Sequence, residues 1–453
     1  MNKSTPILLI ALLLPMLLFG QSNRPLNMFY PGNIRFSSSI PAARSLAMGG
    51  GAIALPDDPS AVTINPAGLG IFSRPALSAT TRYLYFTDAE TAYHPAENIE
   101  PDKILDQTLI SALVVWKNIR FGSFRETIYD QRVLFTSPQQ FVVYPGETST
   151  NLLRRNFPSR EIIARTQLVE NGLSVGFRIG LQFTAGILLR LTRLEYGLTD
   201  RQYFPRDISS AAPGSTITSD FSTGNLYASQ TFDERSTKPG FTIGVLNRFS
   251  GRLVVGAVYH FRPTFNVTGE TYLPAFTFRN GQQLTEFPAE QFRKVTFKWN
   301  MPDAFGAGFA YKYRGWMNLT LDLWRVRYSE MTESLADDGF TNLIQNDQAG
   351  NENEQDLLLE DSWEWHAGME YIFRFFSKNR RFPVRFGFYR KSAGVLHSEG
   401  NADNFQQIFP KPSSENHYTG GLGFLFGDRL RFDGAIDISA NGFIFMGTSV
   451  YTF

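Results

Sequence analysis

The sequence predicts an all-β protein: a 14-stranded antiparallel transmembrane β-barrel with an N-terminal hatch plugging the lumen. Three observations lead there. The chain of 453 residues is 14% aromatic and only 19% charged, against roughly 25% charged in soluble domains. Beyond the N-terminus it has no apolar run of the roughly 18 residues that a spanning helix needs. In a bilayer, the remaining way to pair every backbone N–H and C=O is a closed barrel. Finally, apolar residues recur at every second position in one segment after another, the period of a strand with one apolar face.

Residues 1–20 read as a secretory signal: Lys3 gives a positive start, Ile7 to Phe19 is apolar apart from Pro15, and Gly20 precedes Gln21. Residues 21–74 do not alternate. Asp58-Pro59 looks like an N-cap with proline at the first helical position, starting a short helix that Asn65-Pro66 would stop near Ile64. Such a segment either hangs in the periplasm or folds into the lumen. Eight strands already suffice to pack solid, so a fourteen-strand lumen needs filling, and a plug is expected.

Residues 75–453 form the expected barrel, with strands at 75–86, 109–117, 119–129, 171–179, 181–195, 239–249, 252–268, 302–313, 316–330, 361–374, 382–393, 416–426, 430–440 and 443–453. Leu319, Leu321 and Leu323 interleave with Asn318, Thr320 and Asp322, and Val384, Phe386 and Phe388 with Arg385, Gly387 and Tyr389. A soluble sandwich would show the same alternation. Strand length separates the two, because these strands approach the 9–11 residues of a membrane strand, against a usual 5–6 in soluble sheets. The connections also alternate. Tight turns sit at Asn118, Gly180, Ser250-Gly251, Arg314-Gly315 and Gly427-Asp428, while 87–108, 130–170, 196–238, 269–301, 331–360 and 394–415 are long. Outer-membrane barrels pair short periplasmic turns with long outer loops. Only the link at Asn441-Gly442 is out of place, and 291–299 is taken as the outer end of the eighth strand to preserve the parity.

Several chemistries are not expected. A formal charge of +1 argues against a nucleic-acid partner. Zero Cys removes thiolate chemistry and Cys-ligated metals. The five His (94, 260, 366, 397, 417) show no ligand spacing, with belt or loop roles expected for His260 and His417. No Gly-Lys-Ser/Thr follows the glycines at 49–51, and no Gly-x-Ser-x-Gly elbow occurs. Neither enzyme activity nor a cofactor is expected.

The run ARSLAMGGGAIALPDDPSAVTINPAGLG, the MPDAFGAGFAYKY segment at 301–313 and the closing strands from His417 to Phe453 resemble the FadL/OmpP1/TodX outer-membrane transport family. The resemblance implies a bacterial outer-membrane barrel with the Asn65-Pro66-Ala67 motif inside its hatch. It also implies diffusive uptake of long-chain fatty acids or other hydrophobic compounds, and a kinked strand near the N-terminus that opens a side door to the membrane. Gly122 is the candidate for that kink, because glycine within a strand often marks a bend. Arg178, Arg385, Lys391 and Arg431, on polar strand faces, are candidates to pair with a ligand carboxylate; the competing reading is a lumen ion-pair network with Asp433, Asp437 or Asp322. Ala304, Gly306, Gly308 and Ala310 on one face, and Ile444, Met446, Thr448 and Val450 on another, make a mild interior, or simply room for the hatch. Phe453, an aromatic final residue, matches the signal read by the barrel-assembly machinery. The expected partners are hydrophobic small molecules, outer-membrane lipid and that machinery, with the barrel a monomer. A different function stays open: a barrel component of a secretion or surface-attachment system, with the acidic 331–360 loop as its docking surface.

Overall fold

The computed structural model describes residues 40–55, 58–86, 102–137, 139–145, 152–157, 159–203, 216–217, 226–274, 276–280, 283–287, 290–331, 357–374, 381–391, 397–398, 414–440 and 442–453. The expected signal segment, residues 21–39 and most of the 331–360 loop lie outside them.

The wall consists of β1 (Ala76–Phe86), β2 (Asp102–Trp116), β3 (Ile119–Ser137), β4 (Ser159–Ile179), β5 (Phe183–Tyr203), β6 (Leu226–Arg248), β7 (Leu253–Phe261), β8 (Ala304–Tyr313), β9 (Met317–Val326), β10 (Ser362–Arg374), β11 (Arg381–Lys391), β12 (Glu415–Phe426), β13 (Leu430–Ser439) and β14 (Gly442–Thr452). Each strand pairs antiparallel with the next, and β14 returns to β1 from Ala76↔Thr452 to Phe86↔Gly442. The result is a closed 14-strand antiparallel barrel. Thr264–Leu273 prolongs β7, and Gln291–Asn300, which pairs with it, leads into β8. The strand-like stretch at 291–299 is therefore the outer end of β8, as the alternation of short and long connections required.

The outward face explains why this ring suits a bilayer. On β5, Phe183, Ile187, Leu189 and Leu191 are exposed. At about 3.3 Å per residue and a tilt of roughly 40°, Phe183 to Leu191 covers about 20 Å of height, near the 25 Å apolar band of membrane barrels. Aromatic residues ring both edges: Trp116, Phe249, Phe373, Phe426 and Tyr451 beside the short turns, and Phe261, Phe305, Trp363 and Trp365 at the other end. Among the described residues no helix is long and apolar enough to cross a membrane.

Several strands outrun their expected ends, and much of the expected loops 130–170 and 196–238 is strand. β4 and β5 have 21 residues each and β6 has 23. Beyond Leu191 the outward side chains of β5 become charged, with Arg193 paired to Glu195 at 2.6 Å and Arg201 to Glu161 at 2.9 Å. The apolar alternation stops there while the backbone ladder continues, because the ladder needs only N–H and C=O partners.

The N-terminal segment carries α1 (Ala43–Ala47), α2 (Ala61–Ile64) and a 3₁₀ helix (Pro66–Ile71). Helix α2 starts two residues later than Asp58-Pro59 suggests. Asp58 still opens the turn, its Oδ1 accepting the Ser60 N–H at 2.9 Å and its carbonyl the Ala61 N–H at 2.9 Å. Asn65 does end α2, and it also caps the 3₁₀ helix, accepting the Ala67 N–H at 3.1 Å with Pro66 in the first helical position.

Candidate functional site

The described residues of 40–72 contribute no strand to the wall, so their backbone groups find partners on inward-facing side chains instead. Asp322 of β9 accepts the N–H groups of Ala52 and Ile53 at 2.7 and 2.8 Å. Thr448 of β14 accepts the Ala43 N–H at 2.8 Å, while His366 Nδ1 lies 2.6 Å from the Gly49 carbonyl and His260 Nε2 2.9 Å from that of Ile64. His260 and His417 are buried in the lumen, which corrects the belt or loop reading: both occupy inward positions of their strands. Asn65 is fully buried and donates to the Ile53 carbonyl at 3.1 Å, tying two turns of the segment together. Glycines on the wall leave room for it. A Cβ on Gly186 would stand 2.3 Å from the Pro66 carbonyl carbon.

Two buried ionic clusters flank the segment. In the first, Glu370 of β10 accepts Arg44 of α1 at 3.0 and 3.1 Å, Arg385 of β11 at 2.7 Å and the Asn318 amide at 2.6 Å. Asp433 of β13 then bridges Arg385 and Arg431, each at 2.7 Å, and Arg431 also pairs with Asp58. In the second, Glu170 of β4 holds Arg190 at 2.7 Å, Arg262 and the Thr192 hydroxyl, while Arg190 reaches Thr242 at 2.6 Å and the Thr63 carbonyl at 3.4 Å.

Among the four basic candidates, the structure brings Arg385 and Arg431 together through Asp433. Of the acids expected to join such a network, Asp437 instead faces His417 and the Tyr389 hydroxyl, and Asp322 holds backbone N–H groups. Lys391 lies apart at the outer end of β11, its Nζ 5.9 Å from the Tyr389 ring centroid. Arg178 lines the mouth beside the short turns. Sequence reasoning missed the hubs Glu170 and Glu370. The signal for both was a carboxylate at the inward parity of a strand, in line with Gly172 and Gly368.

Above the segment, inward apolar side chains, among them Leu168, Tyr196, Phe232, Phe265, Trp299 and Met301, pack into one buried cluster. Beside them the wall changes. The β2–β3 ladder runs from Trp116↔Ile119 to Leu109↔Glu126. Beyond that point, among the described residues, 102–107 pair with β1 and 127–137 with β4. The register of β3 shifts between Thr127 and Tyr129, and Ile128 and Tyr129 pack against that cluster. Gly122 is paired in register with both Leu113 and Ser174. An added Cβ there would meet Val62 of α2 at 2.6 Å, so this glycine makes room for the segment, and the irregularity of β3 lies six positions further on.

No family model and no curated protein matches this chain. Solved structures do. A Pseudomonas aeruginosa FadL homologue aligns with a TM-score of 0.57 at 13% identity, over 93% of this chain and 99% of that one. The CymD monoaromatic hydrocarbon channel gives 0.55 at 12%, over 92% and 99%. The Ralstonia pickettii toluene transporter TbuX gives 0.51 at 14%, over 91% and 98%. At these identities the likeness is one of fold, and the fold is the FadL-type barrel.

Proposed function

We propose that this chain is a transport protein of the bacterial outer membrane, not an enzyme, and that it passes hydrophobic compounds such as long-chain fatty acids or hydrocarbons by diffusion. Residues 21–74 act as its hatch, with Asn65, Pro66 and Ala67 at the turn that ties it together. The barrel works as a monomer, and Phe453 marks its end for the assembly machinery. No cofactor enters the cycle. The solved structures of similar fold support the solute class, since they are a FadL homologue, a hydrocarbon channel and a toluene transporter.

The observation that carries the reading is the parting of β2 and β3 above Leu109 and Glu126, beside the inward apolar cluster. A solute gains about 25 cal/mol for each Å² of apolar surface withdrawn from water. An apolar lining can therefore take it from the outer aqueous face, and a break in the wall can release it sideways into the hydrocarbon layer without crossing the polar mouth.

The test uses the absence of native cysteine. A Thr108→Cys/Ile128→Cys double variant puts one thiol on each strand at the parting, both on its lumen side. Oxidation is expected to cut uptake of a long-chain fatty acid or toluene by cells lacking the native gene, and reduction to restore it. Undiminished uptake with the disulfide closed rules out the lateral exit. If the deletion leaves uptake intact but abolishes display of a surface protein, the secretion-system function holds instead.

A further inference from the structure

Among the described residues, the mouth of the barrel beside the short turns carries cations with no carboxylate at ion-pair distance. Arg120 of β3, Arg178 of β4, Arg248 of β6 and Lys312 of β8 all hold the inward parity, in line with Gly122, Gly176, Leu246 and Ala310. Arg120 spends its guanidinium on the carbonyls of Phe72 and Lys117, each at 3.0 Å. Arg178, Arg248 and Lys312 line one cavity of about 70 Å³. Its other walls include Ala54, Leu55 and Ile71 of the N-terminal segment and Gln182, Thr184, Leu246 and Val254 of the barrel, and among the described residues no Asp or Glu lines it. Among the described residues no ion pair engages these three cations. The contrast with Arg44, Arg190, Arg385 and Arg431 is complete, since each of those has a carboxylate within 3.0 Å.

Three like charges converging on a half-enclosed, partly apolar cavity repel one another, and low-dielectric walls focus their field on whatever enters. An oxyanion relieves that repulsion and can accept hydrogen bonds from the guanidinium and ammonium groups that line the cavity. Size narrows the choice. A water takes roughly 10–15 Å³ of such space, so the cavity admits a carboxylate or phosphate and excludes a long chain. The chain has a place close by. Leu181, in the β4–β5 turn, belongs to the lining yet is 82% exposed, and the membrane-facing Ile179 and Phe183 flank it.

We propose that this cavity is a head-group site for anionic amphiphiles: the oxyanion sits among Arg178, Arg248 and Lys312, and the apolar chain runs over Leu181 toward the outer wall. Ala54, Leu55 and Ile71 make one side of it, so an occupant also touches the segment that fills the lumen. Any part in releasing solutes rests on the transport reading; binding itself does not.

The test is calorimetric titration of the folded barrel in non-ionic detergent with decanoate, decyl phosphate, decanol and inorganic phosphate. At low salt the two decyl anions are expected to bind about tenfold tighter than decanol, with inorganic phosphate weaker than either. The stronger of the two anions tells a free acid from a lipid phosphate. Raising the salt, or an Arg178→Gln/Lys312→Gln variant, should remove most of the preference, while Arg193→Gln at the outer rim keeps it. Should the double variant not fold, Arg178→Gln alone, at an exposed position, should lower the preference about threefold. The site is overturned if decanol binds as tightly as the anions, or if the variants retain the full preference. Failed hydrocarbon uptake with the preference intact removes the transport reading and leaves the site standing.

Discussion

Glu370 and Glu170 are the same chemical unit set in opposite halves of the wall: a buried carboxylate between two guanidinium groups. They differ in where the arginines come from. Arg385 belongs to the wall but Arg44 to α1, so Glu370 couples the N-terminal segment to the barrel. Arg190 belongs to the wall and Arg262 to the link between β7 and its extension, and among the described residues Glu170 reaches the segment through Arg190 and the Thr63 carbonyl. A buried ion pair adds little net stability against an apolar replacement, yet removing one partner strands a charge. What such a hub controls is thus which elements must stay together, and the two hubs hold different elements.

Removing the hubs gives the largest expected effects. Glu370→Ala strands Arg44 and leaves Arg385 with Asp433 alone, at a cost of about 3–5 kcal/mol. Hydrogen exchange should accelerate over 43–55, and single-channel recordings should show more frequent openings. Glu170→Ala should cost a similar amount, but its faster exchange should fall on β4 to β7 and spare α1. Equal loosening of α1 in both variants would break the distinction. A smaller effect is expected where the wall makes room for the segment. Gly186→Val forces the Pro66 carbonyl carbon away, costs about 1–3 kcal/mol as overpacking does, and should raise exchange at 66–71 alone.

Asn65→Ala sharpens the comparison further, since it removes a cap inside the segment and touches neither hub. A loss of about 0.5–2 kcal/mol is expected, seen as faster exchange at Ala67. At the bottom of the scale, Arg193→Gln breaks an outward ion pair in solvent. Exposed pairs contribute roughly 0–1 kcal/mol, and the heat-induced mobility shift of the folded barrel on gels should not move.

The sequence made the spanning part of each strand legible and left the strand ends obscure. In β5 the apolar alternation of Ile187, Leu189 and Leu191 is a local record of lipid on one side. Arg193 and Glu195 continue the same strand in water, where that record is blank. Among the site residues, the joining of Arg385 and Arg431 through an acid was foreseeable from their polar strand faces. The role of Gly122 was not, because nothing near it in the chain announces that Val62 lies against it.

What the sequence determined by itself is therefore the local physics: period-two faces, turn-forming residues between hairpins, the Asn65-Pro66 break, and an interior of small side chains at Ala304, Gly306, Gly308 and Ala310. Only the tertiary structure decided the partners, because closing the ring brings together groups with no local signature. Arg431 meets Asp58 from 373 positions away, and Arg44 meets Glu370 across 326. The same closure chose which cations find a carboxylate and which three at the mouth do not. Local pattern is written in neighbouring residues, whereas charge pairing depends on which strands become neighbours once the sheet meets itself.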